Sequence, residues 1–321
     1  MRFHRDILRI DCEAITRQIC LFIKQQVKAM RRNGAVVGLS GGIDSTLSTE
    51  LCIRALGKDK VLVLILPERE SNPISAEYAM KYAQKQGVRT VTIDITPNLN
   101  CFGAYEKRDE AIREIFPEYT SKYKSKIILP PELLLKDSFN FYKLIIDDSS
   151  GNIKSARLDN RMLREIVAAT NIKQRTRMMN LYYFAERNNY LVCGTTNKTE
   201  IVQGFFVKYG DGGVDIEPIA KLYKTQVYQL AAYLGVGKEI IERAPSPDTF
   251  SLAVTDEEFY FRIPYDTLDL LLYAWENNVA IAEVCESMAL TEEQVKRVFR
   301  DFTSKYNATK HLRTLPPTPD L

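Results

Sequence analysis

The stretch Val36-Val37-Gly38-Leu39-Ser40-Gly41-Gly42-Ile43-Asp44-Ser45 drives a short apolar run into a glycine turn and then into helix-like sequence. Residues 35–39 are β-branched and apolar, as in a parallel strand buried on both faces. Gly41 and Gly42 lack a Cβ, so the backbone there can turn sharply and approach a ligand. A helix starting near Ser45 and Thr46 would aim its free N–H groups and positive dipole end at an anion. The hydroxyls of Ser40 and Ser45 can donate to phosphate oxygens. Asp44 would repel a bare phosphate, and a bridging Mg2+ accounts for it, since that ion takes a carboxylate together with phosphate oxygens. No Gly-Lys-Ser/Thr follows, so this is not a Walker loop, and there is no G-x-G-x-x-G spacing either. A loop that holds pyrophosphate is the implication, and ATP cleavage is the first expectation.

The flanking pattern supports a doubly wound parallel α/β sheet. Asp11 reads as the cap of a helix ending at Asn33-Gly34, and a helix over 46–55 stops at Gly57. Strands are expected at 61–66, 90–95 and 190–194, with helices at 75–86, 160–188 and 223–234. Residues 98–160 interrupt this alternation. They include a charged helical run at 111–123, apolar segments at 133–135 and 144–146, and a hairpin turn at 148–152. Too apolar for a disordered linker, they read as a structured insertion within one domain spanning 1–321. Helices at 265–276, 280–288 and 291–306 follow, the last opened by the capping box Thr291-Glu292-Glu293-Gln294.

Composition excludes several classes. A net charge of +3 is too small to argue for nucleic acid. Only two histidines are present, so a histidine zinc site or a Ser-His-Asp triad is not expected. Six scattered cysteines without C-x-x-C fit reduced, core or half-buried thiols of a cytoplasmic protein. No apolar run is long enough for a membrane span, and residues 1–10 lack a signal-peptide core.

Three further stretches carry polar chemistry. Asn171-Ile172-Lys173-Gln174-Arg175-Thr176-Arg177 lies inside the long helix, with an apolar side expected from Ile172, Met179 and Tyr183. Gly194-Thr195-Thr196-Asn197-Lys198-Thr199-Glu200 follows a strand end, where ligands bind in such sheets, and Glu200 offers a hard oxygen for Mg2+. Lys208-Tyr209-Gly210-Asp211-Gly212-Gly213 forms a glycine-rich loop ahead of Asp215. It is followed by Ile216-Glu217-Pro218-Ile219-Ala220-Lys221-Leu222-Tyr223-Lys224, in which Lys224 is a cation suited to ATP phosphates.

In this order, the four motifs resemble those of ammonia-dependent NAD+ synthetases, a branch of the N-type ATP pyrophosphatases with an adenine nucleotide α-hydrolase-like fold. The resemblance implies that Gly38, Leu39, Ser40, Gly41, Gly42, Ile43, Asp44 and Ser45 hold ATP together with Thr195, Lys224 and Ser246. It makes Asp44 and Glu200 ligands of Mg2+, and Asp44 and Lys224 the catalytic pair. Arg175, Lys208, Asp215 and His311 would contact deamido-NAD+. The implied reaction adenylates the nicotinate carboxylate, and ammonia then gives the amide, AMP and pyrophosphate. A homodimer and free ammonia, or a separate glutaminase, are also implied. The sequence departs from the family at Leu312, where a lysine would follow His311, at Gln174, at Lys221 and through residues 248–264. These changes sit on the acceptor side, so a related amidoligase for another carboxylate is the alternative.

Overall fold

The computed structural model describes residues 2–131, 133–135 and 141–319. Its centre is a parallel sheet in the order β3-β2-β1-β7, made by β1 (Ala35–Gly38), β2 (Val61–Ile65), β3 (Arg89–Thr92) and β7 (Leu191–Cys193). Val36 is level with Leu62 on one side and Val192 on the other. β1, β2 and β7 are apolar because both their faces are covered, whereas the edge strand β3 (Arg-Thr-Val-Thr) is exposed or half-buried. Val37, Val63 and Cys193 pack toward α1 (Cys12–Ala29), α2 (Ile43–Leu56), α3 (Pro73–Gln86) and α8 (Lys224–Tyr233). Val36, Leu62, Leu64 and Val192 face the other way, toward α4 (Thr96–Cys101), α5 (Ala104–Arg113) and α6 (Asn160–Asn188). The doubly wound expectation is met, with the strands one or two residues shorter than expected.

The long helix has the expected bounds. Asp159 caps its start by accepting from Met162 N, and Asn189 ends it in a left-handed conformation. Its expected apolar side is corrected. Ile172 packs against the sheet, but Met179 and Tyr183 are 46% and 58% exposed. The stripe that goes inward instead contains Ile166, Ala169, Thr170, Lys173 and Thr176.

The segment expected as an insertion divides in two. Its helices α4 and α5 belong to the main layer against α6 and β2. The charged helix expected at 111–123 lies earlier, at Ala104–Arg113. Gly103, with φ +64°, permits the start, and Pro117 bars a helical conformation at Phe116. The remainder is an antiparallel sheet of β4 (Lys124–Ile128), β5 (Lys143–Asp147) and β6 (Ile153–Arg157), with the turn at 148–152 between the last two. Its core shares Ile127, Leu144 and Ile146 with Phe250, Val254 and the start of α6. Residues 132 and 136–140, also within the expected insertion, lie outside the described residues. The remaining helices are α7 (Lys198–Gln203), α9 (Lys238–Ile241), α10 (Tyr265–Glu276), α11 (Ile281–Met288) and α12 (Glu292–Ala308). The last has the capping box read from Thr291 and Gln294. Among the described residues no helix is long and apolar enough to cross a membrane.

Cys52 and Cys193 are buried with their Sγ atoms 3.5 Å apart, and Cys12, Cys20 and Cys285 are half-buried. Cys101 is exposed, unlike the core or half-buried thiols expected.

Candidate active site

A cavity of about 890 Å³ opens at the carboxyl ends of β1, β2 and β7. That is where ligands bind in open α/β sheets, because loops diverge there and helix N-termini converge. Gly38, Leu39, Ser40, Gly42, Ile43, Asp44 and Ser45 line it, as do Thr195, Glu200, Lys224 and Ser246. Arg175, Lys208 and His311 line it on the other side, with Leu312. Asp215 does not line the cavity. It accepts from Val192 N at 2.7 Å and from Tyr182 Oη at 3.2 Å, and so fixes the edge of β7.

The glycine loop is folded on itself. Ser45 Oγ donates to Gly42 O at 3.0 Å and receives Ser40 N at 3.1 Å. Gly42 N donates to Ser40 Oγ at 3.2 Å. The helix starts earlier than expected, at Ile43, with Gly42 in the capping position and no side-chain cap. Its first turn therefore depends on a ligand or water for its amide hydrogens. Gly41 has φ +80°, and a Cβ there would lie 2.2 Å from Ser75 O, the backbone of α3.

Lys224 opens α8 and is 2% exposed. Its backbone N donates to Thr199 Oγ1 at 3.1 Å. Asp269 in turn binds Thr199 Oγ1 and Thr225 N at 2.6 and 2.7 Å. The side chain is thus delivered from a rigid helix start. Lys224 Nζ bonds Asp44 Oδ2 and lies 3.9 Å from Glu200 Oε1. Asn197 Nδ2 holds the other oxygen of Asp44 at 3.0 Å, and Glu200 Oε2 accepts from Asn197 N at 3.0 Å. Glu200 is therefore both the capping-box residue of α7 and a site carboxylate. Burial alone would favour neutral Lys224, but Asp44 and Glu200 outweigh it and raise its pKa. Burial, and then the Asp44 charge, raise Glu200 well above the usual carboxylate range.

Asp256 was missed in the sequence. It is buried, lines the same cavity, accepts from Tyr265 Oη at 2.9 Å, and leaves Oδ1 without a partner among the described residues. Burial pushes it to about 6. The only signal was an Asp-Glu pair in a stretch lacking the neighbouring residues of the resembled family. Three carboxylates, Asp44, Glu200 and Asp256, thus sit around one lysine. Ionised, that set leaves two negative charges over, and one acceptor atom is orphaned. A divalent cation fits both facts. Among the described residues no three acidic side chains converge on a single metal position. This is the normal situation for Mg2+, which completes its shell with phosphate oxygens and water.

On the far wall, Arg175 Nε donates to Lys208 O at 3.4 Å, and Lys208 Nζ donates to His311 O at 2.8 Å. Arg177 turns from Arg175 and donates to Leu66 O at 3.2 Å, as its two-residue offset requires. Burial raises Asp211 to about 6, although Val207 N donates to it at 2.8 Å.

Lys173 was also missed as a site-shaping residue. It is buried, with Nζ 2.9 Å from Glu68, 2.8 Å from Glu70 and 2.8 Å from Thr249 O. Arg108 of α5 closes the network on Glu70 at 2.8 Å and on Asp109. Burial would raise the Glu70 carboxyl, but the Arg108 hydrogen bonds and the Lys173 charge take it from 4.5 down to about 2. A folded-state pKa below the unfolded one contributes stability above about pH 4.5, which is lost as pH falls toward 2. Over that window the wild type should lose up to about 3 kcal/mol more than Glu70→Gln, measured by urea unfolding at each pH. Parallel pH profiles would show that Glu70 is not held down.

A glycine loop at the end of a central parallel strand, facing a buried lysine among carboxylates, is the arrangement of an α/β enzyme of the adenine nucleotide α-hydrolase kind. The NAD synthase family model matches residues 15–122 and 133–316. The NH3-dependent NAD+ synthetase of Mesorhizobium japonicum is 45% identical over 97% of both chains. That of Methanocaldococcus jannaschii is 37% identical, covering 96% of this chain and 97% of its own. The chain belongs to the NAD synthase family. Among solved structures, the NH3-dependent NAD synthetase of Campylobacter jejuni in complex with nitrate superposes with a TM-score of 0.65 at 25% identity. It covers 97% of this chain and 100% of its own. An NMN synthetase from Francisella tularensis shares the fold, with a TM-score of 0.67 at 22% identity over 98% and 100% of the two chains.

Proposed function

We infer that this protein is a ligase that makes NAD+ from deamido-NAD+, ammonia and ATP, releasing AMP and pyrophosphate. The observation that carries the reading is the meeting of Asp44 and Lys224. They come from opposite halves of the chain and meet at the phosphate loop beside Glu200. The nicotinate carboxylate oxygen attacks the α-phosphorus, and the bond to the β-phosphate oxygen breaks. Ammonia then attacks the acyl carbon, loses a proton and expels AMP. Neither step needs a protein nucleophile, so this chain's residues act by positioning and charge. The loop from Ser40 to Ser45 holds the leaving pyrophosphate, and Lys224 offsets charge developing on it. Arg175, Lys208 and His311 hold the dinucleotide. Asp44 and Glu200 would hold Mg2+, with Asp256 beside them; the ion neutralises phosphate charge when bound.

The same reading makes the protein a cytoplasmic homodimer. Met179 and Tyr183, exposed on α6, are the apolar surface that supports contact with a second copy. Free ammonia, or a separate glutaminase, would supply nitrogen.

The test is pyrophosphate release from ATP, Mg2+ and ammonium chloride, with and without deamido-NAD+, with NAD+ followed in parallel. One NAD+ per pyrophosphate, dependent on deamido-NAD+, is the expected result. Protein that binds ATP but releases no pyrophosphate with deamido-NAD+ would point to a different carboxylate.

A further inference from the structure

The segment from Ala244 to Tyr260 roofs the cavity. Residues 244–250 line it, as do Asp256, Phe259 and Tyr260, yet residues 244–255 have no regular secondary structure. Such a stretch orders only if other parts of the fold hold it. Here three separate elements do. At the start of α3, Asp248 accepts from Asn72 N at 3.0 Å and from Ser75 Oγ at 2.9 Å. These bonds hold Asp248 at φ +47°, a conformation unfavourable for a residue with a Cβ. From α6, Lys173 holds Thr249 O. The third tie is the antiparallel sheet. Ser125 N donates to Ser251 Oγ at 2.8 Å, and Leu252 N returns to Ser125 O at 3.1 Å. Lys126 Nζ donates to Ala253 O at 3.1 Å and pairs with Glu258 at 3.3 Å. Leu129 N donates to Glu258 O at 2.9 Å. Phe250 and Phe259, 5.4 Å apart, complete the seal, with Tyr142 6.1 Å from Phe259.

We propose that the β4–β6 sheet is a brace that holds the 244–260 roof closed over the site before ATP binds. By doing so it steers the acyl-adenylate to ammonia instead of water. The inference rests on the functional reading above. Its physical basis is that an acyl phosphate hydrolyses wherever water reaches it, and that a roof ordered in advance adds no closing cost to ATP binding. Lys126 and Ser251 are positioning residues: neither lines the cavity, and each ties the roof to β4, Lys126 through Ala253 O and the Glu258 carboxylate and Ser251 through the Ser125 backbone.

The experiment compares the full-length wild type with the double variant Lys126→Ala/Ser251→Ala and the conservative Lys126→Arg/Ser251→Thr. Melting curves establish that each is folded. Hydrogen exchange of peptides covering 244–260, without ATP, should show protection in the wild type and exchange roughly tenfold faster in the alanine pair, with α6 unchanged. At limiting ammonium, pyrophosphate released per NAD+ should rise from about one to about three or more in the alanine pair. The KM for ATP should rise several-fold, and the conservative pair should restore both values. Free exchange of the wild-type roof without ATP, or an unchanged product ratio in a loosened variant, overturns the proposal. A wild type that forms no NAD+ would remove the functional reading, and the exchange data would still decide whether the roof is braced.

Discussion

Lys224→Met should lower the rate of pyrophosphate release by about a hundred- to a thousandfold, the usual loss when a fixed group opposite a developing anion is removed. Methionine keeps the length and the burial of the lysine, so packing of α8 should survive. What is lost is, among the described residues, the only cation bonded to Asp44, which lies beside Glu200 and Asp256. The folded state should also weaken by about 3 kcal/mol, because buried carboxylates are left without their counter-charge. The two effects are separable. Mg2+ should raise the melting temperature of Lys224→Met more than that of the wild type, since the ion meets the same unpaired carboxylates. It should not restore turnover. A variant that keeps more than a tenth of the wild-type rate would remove Lys224 from the chemistry.

Gly41→Ala should be nearly as damaging for a steric reason. The position combines φ +80° with a Cβ that would sit 2.2 Å from Ser75 O, and that oxygen is helix backbone that cannot swing aside. Either the loop or α3 must move. We expect a stability loss of at least about 2 kcal/mol in urea unfolding. We also expect the loss of detectable ATP binding by calorimetry. Gly42→Ala is the control, since its nearest neighbour is the Ser40 hydroxyl at 3.3 Å and its φ is −88°. If Gly41→Ala binds ATP as the wild type does, the loop is not the rigid cradle described above.

These two residues also mark what could be read from the sequence. The glycine loop, its strand and its helix are contiguous, and local rules place them within three residues. The long helix was legible from end to end because Asp159 and Asn189 are strong local start and stop signals. Lys173 was not legible. Periodicity identifies an inward face by its apolar residues, and this face is anchored by a lysine whose partners, Glu68 and Glu70, lie more than a hundred positions away. The same rule put Met179 and Tyr183 on one apolar side with Ile172, yet both are exposed. Asp256 escaped because the stretch around it has no periodicity and takes its shape from a sheet formed 100 residues earlier. Asp215 was read by motif as a substrate contact, whereas its carboxylate caps the edge of β7.

The order of strands has a consequence for synthesis of the chain. The centre of the sheet, β1, pairs on one side with β2, made soon after it, and on the other with β7, more than 150 residues downstream. Until β7 emerges from the ribosome, one flank of this buried apolar strand is open to water and to other nascent chains. The glycine loop leaves the exit tunnel long before Glu200 and Lys224, so a growing chain carries half a nucleotide site. ATP can therefore favour folding only after translation has passed α8, and premature termination anywhere before that point yields a sticky fragment with no ligand to rescue it.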